Sequence, residues 1–380
     1  MTNIQIIGNG DADMRALRHN LGMALSHFPL HGSIEEVMES QKISSLGIQH
    51  TPAIIVDGEI LSEGNVPTVQ ELEKLLCNRE LLHSNLYALS HVLVPVDLSP
   101  ASENALLFAC HLVRHLGASM EVVYVMDSIF QGSKPSPSGF LSAYRGTMQD
   151  ELDNFVRGVF EKSGSECPIL PAGLSKSVEK TASGQPMIQT RIDFGFPEDV
   201  ISNLSSPTGL VVMGTTGRGN ISRNLFGSVS IAVSKKAKGP VLLIPPQATF
   251  KGFQEMVYAS NFESLDQEVV KETVGFSRRF NSQIHFVHVG ESEMENLDLE
   301  RRLFGLNYLF ADPEKPFIFQ KIEGEDLVDA LHEYAFINRA DLFVFVTHER
   351  TFWESLLHKS MSKEMLLHTS APVLVMHTEG

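Results

Sequence analysis

The apolar residues of this chain fall into short continuous runs, which longer stretches of mixed composition separate. Leu210–Met213 and Val241–Ile244 contain no polar residue, a pattern typical of strands that are buried on both faces of a parallel sheet. Between such runs we expect helices, for example over 101–116 and 265–280. Strands that alternate with helices predict an α/β fold with a parallel sheet and right-handed crossovers.

The second half of the chain repeats the first, because three stretches match in the same order. The matched pairs are Leu210–Arg218 with Leu342–Arg350, Gly239–Ile244 with Ala371–Met376, and His91–Ser99 with Glu255–Glu263. Each copy also has a second apolar strand, at 120–125 and at 283–289. Such self-similarity predicts two α/β units, which we place at 91–247 and 254–380.

Residues 1–78 form a third unit, in which the predicted order of elements is β-α-β-α-β-β-α. Its clearest elements are a strand at Ile4–Ile7, a helix at Met14–Phe28 and a hairpin with an Asp-Gly turn at Thr51–Ile60. Thr68 and Glu71 have the spacing of a capping box, which predicts that a closing helix runs to Leu76. Residues 79–90 are interpreted as the linker to the next unit.

Composition and charge exclude several classes of function. The formal net charge of −16 argues against a nucleic-acid surface, and no apolar run approaches the ~20 residues of a membrane-spanning helix. Cys77, Cys110 and Cys167 are too few and too far apart for a disulfide framework or a metal site, and the histidines are scattered. We therefore expect a cytoplasmic globular protein with no metal site and no nucleic-acid or membrane partner.

The glycine-rich segment Gly214–Ser230, which directly follows the run at 210–213, is the main candidate for chemistry. Glycine lets backbone N–H groups approach phosphate oxygens, because no Cβ stands between them. Gly227 and Ser228 open a predicted helix, whose first turn offers unpaired N–H donors. The segment predicts an anion site, with Arg218, Arg223 and Lys235 as sources of positive charge. The same composition also suits a glycine-rich turn without a ligand.

Together with the strand at His91–Ser99, this segment resembles the universal stress protein family. Its nucleotide-binding members carry G-x-x-G, nine residues and G-[S/T], and nine residues separate Gly217 from Gly227 here. The resemblance implies a Rossmann-like (HUP-type) fold that binds ATP or AMP, in some members with Mg²⁺, and has weak or no catalysis. It also implies that Asp97 contacts the adenine edge and that the Val125 backbone holds the base. The nucleotide-binding residues expected on this basis are Pro95, Val96, Asp97, Ser99, Val125, Met213, Gly214, Thr215, Gly217, Arg218, Gly219, Gly227, Ser228, Val229 and Ser230.

The second copy lacks this chemistry. The residues aligned with Gly214, Gly217, Gly227 and Asp97 are Val346, Glu349, Lys359 and Asn261. A β-branched residue and a carboxylate would obstruct and repel a polyphosphate, so we predict one nucleotide per chain. Five polar or aromatic residues form either a different site or ordinary packing and surface: Arg350, Trp353, His358, Lys359 and Ser360. In the family the last strands often pair across a twofold axis, so we expect an intrachain pseudo-dimer, while a homodimer stays open.

The N-terminal unit resembles the small thioredoxin/glutaredoxin-like proteins of archaea and bacteria, in its order of elements and its Thr51-Pro52 step. In that family the turn before the first helix holds C-x-x-C, and the proline is cis. Here Asp11 and Met14 stand at the cysteine positions, so dithiol exchange lacks both its nucleophile and its resolving sulfur. We predict a redox-inactive docking domain with a peptide groove beside Thr51 and Pro52.

The first α/β unit also contains a long excursion before the strand that begins near Thr190. Gln131–Gly139 has the composition of a loop, and Gly146–Glu161 is predicted as an amphipathic helix. The loop either closes over the nucleotide or is ordinary surface. The leading hypothesis is a nucleotide-binding stress or regulatory protein with an unidentified protein partner. The alternatives are a slow ATPase and an interaction scaffold whose site is empty.

Overall fold

The computed structural model describes 13 stretches of the chain. They are 2–26, 32–126, 138–164, 169–170, 188–216, 227–259, 267–289, 305, 307, 309–312, 314–322, 327–346 and 371–377. The chain divides into two compact units. The first comprises Met1–His83 with Phe304–Asp312, and the second comprises Ser84–Leu303 with Pro313–Gly380.

The N-terminal unit is built on a four-stranded sheet in the order β2-β1-β3-β4. Its elements are β1 (Thr2–Ile7), α1 (Ala12–Ser26), β2 (Gly32–Val37), α2 (Ser40–Ser45), β3 (Ala53–Val56), β4 (Glu59–Glu63) and α3 (Val69–Leu82). Strand β1 runs parallel to β2 and antiparallel to β3. The predicted order of elements is therefore confirmed, and so is the thioredoxin-like fold of this unit.

Two local predictions in this unit are confirmed, and the third is corrected. The β3–β4 turn holds Asp57 and Gly58 at φ 48° and 88°, the left-handed conformations that an Asp-Gly hairpin turn requires. Thr68 and Glu71 form both bonds of the capping box at the start of α3. Helix α3 continues past Leu76 to Leu82 because Leu81 prolongs its buried stripe. The first residues of the predicted linker are therefore helical.

The described residues of the second unit form one sheet of eleven strands. The elements of its first half are β5 (His91–Val96), α4 (Pro100–Leu116), β6 (Ser119–Met126), α5 (Ser138–Lys162), β7 (Ile169–Leu170), β8 (Ile188–Phe194), α6 (Pro197–Leu204), β9 (Leu210–Gly214), α7 (Ser228–Lys236) and β10 (Val241–Ile244). Those of its second half are β11 (Glu255–Ala259), α8 (Gln267–Arg278), β12 (Gln283–Val289), β13 (Ile318–Ile322), α9 (Leu327–Asn338), β14 (Leu342–Val346) and β15 (Val373–Met376).

The two halves of this sheet share one strand order. The full order is β13-β12-β11-β14-β15-β10-β9-β5-β6-β8-β7, so β13-β12-β11-β14-β15 mirrors β8-β6-β5-β9-β10. Neighbours within each half are parallel, whereas β10 and β15 pair antiparallel, with Leu242 opposite Leu374. The predicted pairing of the two last strands is confirmed, and it joins the halves into one continuous sheet.

Helix α5 begins earlier than the sequence predicts. The sequence predicts a loop at its first residues, Ser138 and Gly139, because composition alone does not separate a loop from the start of a helix, where serine is favoured. The remainder of that predicted loop, 131–137, lies outside the described residues. In the part of the chain described, no helix is long and apolar enough to cross a membrane.

The segment before β5 is part of the packed second unit. We call Ser84–Leu89 the first arm. It lies on α8, where the Glu272 carboxylate accepts hydrogen bonds from Asn85 N at 2.9 Å and Leu86 N at 2.7 Å. Leu86 and Leu89 are 1% and 2% exposed. From Ser84 onward, the predicted linker is therefore packed against the second half of the sheet.

The first arm fits α8 closely at two further positions. A Cβ on Gly275 would lie 2.0 Å from Ser84 Oγ, so only glycine leaves room for the arm. One turn later, Arg279 donates to Tyr87 O at 2.6 Å, and its guanidinium lies 5.6 Å from the centre of the Tyr87 ring. Helix α8 therefore presents a stripe of contacts to the arm.

The corresponding segment before β11, Ala248–Phe253, is the second arm, and it lies on α4 of the first half. The ring centre of Phe108 is 5.3 Å from that of Phe250 and 6.2 Å from that of Phe253. Asn104 Nδ2 donates to Ala248 O at 3.1 Å. The two halves therefore exchange arms. The first arm, which precedes β5, lies on α8 of the second half, and the second arm, which precedes β11, lies on α4 of the first half.

Candidate functional site

The predicted site lies at the carboxyl ends of three neighbouring strands of the first half. Strand β5 is flanked by β6 and β9, and Val96 pairs with Tyr124 across β5 and β6. Asp97 therefore follows β5 beside Val125 of β6, while Gly214 ends β9. Ligands of open α/β sheets bind beyond such strand ends. Pro95 and Val96 at the end of β5 and Met213 near the end of β9 are buried.

Asp97 is held by the first turn of α4. Its Oδ1 accepts hydrogen bonds from Ser99 N at 3.1 Å and from Ser99 Oγ at 2.5 Å. Ser99 is also the N-cap of α4, since its Oγ accepts from Ser102 N at 3.2 Å, and it is 6% exposed. Ser99, which the resemblance places on the nucleotide, therefore caps a helix and positions the Asp97 carboxylate.

Gly214 is required by packing as well as by any ligand. A Cβ at this position would lie 3.1 Å from Ala101 O and 3.2 Å from Thr216 O, so a side chain would press on the start of α4. The next residue, Thr215, donates its N–H to Ile244 O at 3.0 Å. The end of β9 is therefore fixed between α4 and β10.

The two ends of the glycine-rich segment are bonded to each other. Gly227 N donates to Thr215 O at 2.6 Å, and the Ser230 hydroxyl lies 2.9 Å from Thr215 O and 2.8 Å from Gly227 O. Ser230 is 2% exposed, and its hydroxyl ties the loop ends together. Gly217, Arg218, Gly219 and Arg223 lie outside the described residues.

Helix α7 begins at this closure, with Gly227 as its N-cap. Ser228 is exposed and Val229 is half-buried, and the first-turn N–H groups have no acceptor within the helix. Lys235, which the sequence offered as a source of positive charge, lies in the last turn of α7. A helix rises ~1.5 Å per residue, which puts Lys235 about 10 Å along the axis from Ser228.

Helix α7 is also tied to the second half of the sheet. His377 follows β15, and its Nε2 donates to Ser234 O at 2.9 Å. Burial lowers the pKa of His377 below its ordinary value, so the neutral ring is favoured at this contact. The helix that begins at the glycine-rich segment is therefore held in place from both halves.

One residue at this edge was missed in the sequence because nothing in its neighbourhood forms a motif. Arg145, early in α5, is exposed and donates from Nη2 to Ile192 O on β8 at 3.1 Å. It lies just before the helix that the periodicity predicted. The only available signal was its basic charge in a strongly acidic chain.

In the N-terminal unit, Asp11 and Met14, which the sequence aligns with the family's two cysteines, form contacts at the start of α1. Asp11 caps α1, with its Oδ1 accepting from Met14 N at 2.9 Å. Met14 is 3% exposed, and its sulfur lies 3.2 Å from Gly10 N as an acceptor. Thr51–Pro52 is cis, as the resemblance implies, and Pro52 O accepts from Gly64 N at 2.9 Å. The turn is therefore a helix cap packed on a core side chain.

Among the described residues, no group of three or more His, Cys, Asp or Glu side chains is arranged to hold a metal ion. Of the three cysteines, Cys77 and Cys110 are buried and form no disulfide, while Cys167 lies outside the described ranges.

Fold and site geometry define an α/β protein that joins a thioredoxin-like domain to a doubly wound sheet. The family model of the universal stress proteins matches residues 89–245, and that of the thioredoxin domain matches residues 2–77. The chain therefore carries a universal stress protein domain at 89–245 and an N-terminal domain of the thioredoxin family at 2–77.

Two curated relatives cover different parts of the chain. Universal stress protein Slr1230 of Synechocystis is 22% identical over 294 residues, which are 75% of this chain and 99% of that protein. A thioredoxin of Methanothermobacter thermautotrophicus is 32% identical over 76 residues, which are 20% of this chain and 99% of that protein.

One solved structure supports the fold. A universal stress protein from Archaeoglobus fulgidus gives a TM-score of 0.55 at 16% identity and covers 77% of this chain and 98% of its own. A universal stress protein crystallised in complex with cAMP covers 42% of this chain and 99% of its own, with a TM-score of 0.29 at 20% identity.

Proposed function

We propose that this protein binds one adenine nucleotide, ATP or AMP, at the carboxyl edge of the first half of the large sheet. It acts as a cytoplasmic stress or regulatory protein. The observation that carries the proposal is the closure of the glycine-rich segment, in which Gly227 N bonds to Thr215 O at 2.6 Å. This bond sets the start of α7 directly beside the end of β9.

The start of α7 suits the phosphates. The first-turn N–H groups of a helix, together with its dipole, attract anions without requiring a basic side chain. That matters in a chain with a net charge of −16. Gly217, Arg218 and Gly219, in the segment before α7, complete the phosphate site in this proposal, and Mg²⁺ accompanies the nucleotide as it does in some members of the family.

The base lies at the other end of the site. Two hydrogen bonds from Ser99 fix the Asp97 carboxylate, which is then positioned to accept from an exocyclic amino group. Val125 offers its backbone on the neighbouring strand. Because neither group needs to move, the site is largely preformed.

The second half is proposed to be a second stress-protein domain that has lost the nucleotide, so the chain is a pseudo-dimer. The shared strand order supports this. Val346 stands where Gly214 ends β9, and Glu349 and Lys359 replace the other two glycines. We further propose that the N-terminal domain docks a protein partner through the groove beside Thr51 and Pro52.

Titration calorimetry of the purified full chain tests the proposal. We expect one site for ATP or AMP, and loss of binding in Gly217→Glu, because a carboxylate would lie where phosphate binds. Gly158→Glu is the matched control, since a Cβ there meets no atom within 4 Å. Two sites per chain, unchanged affinity in Gly217→Glu, or no binding of any adenine nucleotide would overturn the proposal. Single-turnover hydrolysis by the same protein separates binding from slow ATPase activity.

A further inference from the structure

We infer that Arg145 stacks on the base of the bound nucleotide and is a further binding residue of this site. The inference rests on the proposed function. It begins from the position of Ile192, which accepts the hydrogen bond from Arg145 Nη2 at 3.1 Å. Ile192 pairs with Tyr124, and Tyr124 pairs with Val96, so the three residues form one row across β8, β6 and β5.

This row gives the distance between the backbone position that anchors Arg145 and the residues assigned to the base. Neighbouring strands lie ~4.8 Å apart, so the backbone of Ile192 is about 10 Å from that of Val96. Asp97 follows Val96 directly, and Val125 follows Tyr124. Arg145 is therefore anchored one strand away from Val125 and two strands away from Asp97, on the side of β6 that lies away from β5.

The strand order decides which end of the nucleotide Arg145 meets. Across the sheet the order is β10-β9-β5-β6-β8, with α7 beginning beside β9 and Arg145 anchored on β8. The phosphates and Arg145 are therefore on opposite sides of β5. A nucleotide whose phosphates reach α7 directs its base, and not its phosphates, toward Arg145.

The Arg145 guanidinium is held at two points. Its central carbon lies over the Phe194 ring, 5.9 Å from the ring centre, and Nη2 donates to Ile192 O. A planar guanidinium over one aromatic ring is also suited to stack on a second planar group. Asp193, which follows Ile192, pairs with Arg191 at 2.8 Å.

Calorimetry of Arg145→Ala and Arg145→Lys with AMP, ADP and ATP tests this inference. We expect both variants to weaken binding of all three nucleotides by the same factor, about tenfold, because lysine keeps the charge but lacks the planar face. Arg157→Ala, an exposed arginine on the same helix, should bind as the unaltered chain does. Thermal unfolding of each variant verifies that it is folded.

Three outcomes would overturn the inference while leaving the proposed function intact. Affinity that does not change in Arg145→Ala would make the residue structural only. A loss that grows from AMP to ATP, with rescue in Arg145→Lys, would assign Arg145 to the phosphates. A loss in Arg157→Ala equal to that in Arg145→Ala would indicate a general charge effect. If the unaltered chain binds no nucleotide, it is the proposed function that fails.

Discussion

The two arms of the large sheet occupy equivalent positions and are held by different chemistry. The first arm is held by Glu272 and Gly275 of α8 and by Arg279, which follows that helix, whereas the second packs its phenylalanine rings against Phe108 of α4. In the alignment of the two halves, Glu272 corresponds to Phe108 and Arg279 to His115. The backbone plan is therefore shared, while the side chains that stabilise it have diverged.

A second pair of matched positions shows the same divergence. In the first half, His91 Nε2 lies 3.7 Å from Glu121, and the two side chains are 43% and 16% exposed. In the second half the residue types are exchanged. There His285, only 5% exposed, lies 2.8 Å from both Glu255 and the Tyr334 hydroxyl. The histidine is therefore half-exposed in the first half and buried in the second, where its contacts are also shorter.

The largest expected effect on stability comes from removing a ring of the second arm. Phe253 is 1% exposed, and its ring centre lies 4.9 Å from that of Phe280. Phe253→Ala should lower the free energy of unfolding by about 3–5 kcal/mol, because it removes a buried ring and leaves a cavity. Urea denaturation measures this, with the exposed neighbour Lys251→Ala as the control. A cost below about 1 kcal/mol would mean that this arm is not anchored by its rings.

Removing a contact of the first arm should lower the free energy of unfolding by less. Glu272→Ala leaves the N–H groups of Asn85 and Leu86 without their acceptor, at a cost of about 1–3 kcal/mol. Glu268→Ala, which removes a 59% exposed carboxylate from the same helix, should cost less than about 0.5 kcal/mol. Equal costs for Glu272→Ala and Glu268→Ala would show that the first arm is held by other contacts.

The pH dependence of the free energy of unfolding gives a further test of the role of Glu272. Burial raises the pKa of Glu272 above its ordinary value of 4.5, so the folded state binds this proton more tightly than the unfolded chain. The associated stabilisation is present below the unfolded pKa and is lost as the pH rises through the raised value. The cost of Glu272→Ala should therefore be larger at pH 4 than at pH 7, whereas that of Phe253→Ala should not follow this trend.

The smallest effect is expected for the redox activity of the N-terminal domain. This domain has a thioredoxin-like fold, but Asp11 and Met14 stand at the positions aligned with the family's cysteines. The chain should reduce insulin disulfides no faster than background, because Asp11 and Met14 supply no thiol. Asp11→Cys with Met14→Cys should restore a pair that oxidises to a disulfide across the first turn of α1. Thiol titration before and after oxidation measures this, and either single cysteine variant is the control. A double variant that stays fully reduced would show that these positions do not match those of the family's cysteines.

The repeat, the pairing of its last strands and the capping box were all predictable, because they depend on local patterns or on self-similarity. The roles of Ser99 and Ser230 were not. A serine hydroxyl caps a helix, ties a loop or binds phosphate equally well, and only the fold decides among these. The first arm was mistaken for part of a linker because its partner, Glu272, lies far away in sequence and resembles any exposed carboxylate on a helix. Arg145 was missed for a similar reason.

The antiparallel join of β10 to β15 also has an evolutionary consequence. In a dimer of identical chains every substitution appears twice, at both ends of a symmetric sheet. Here one gene encodes both ends, so a mutation alters one end and leaves the other unchanged. Val346 and Gly214 can therefore differ although they end equivalent strands, and each half can be selected separately.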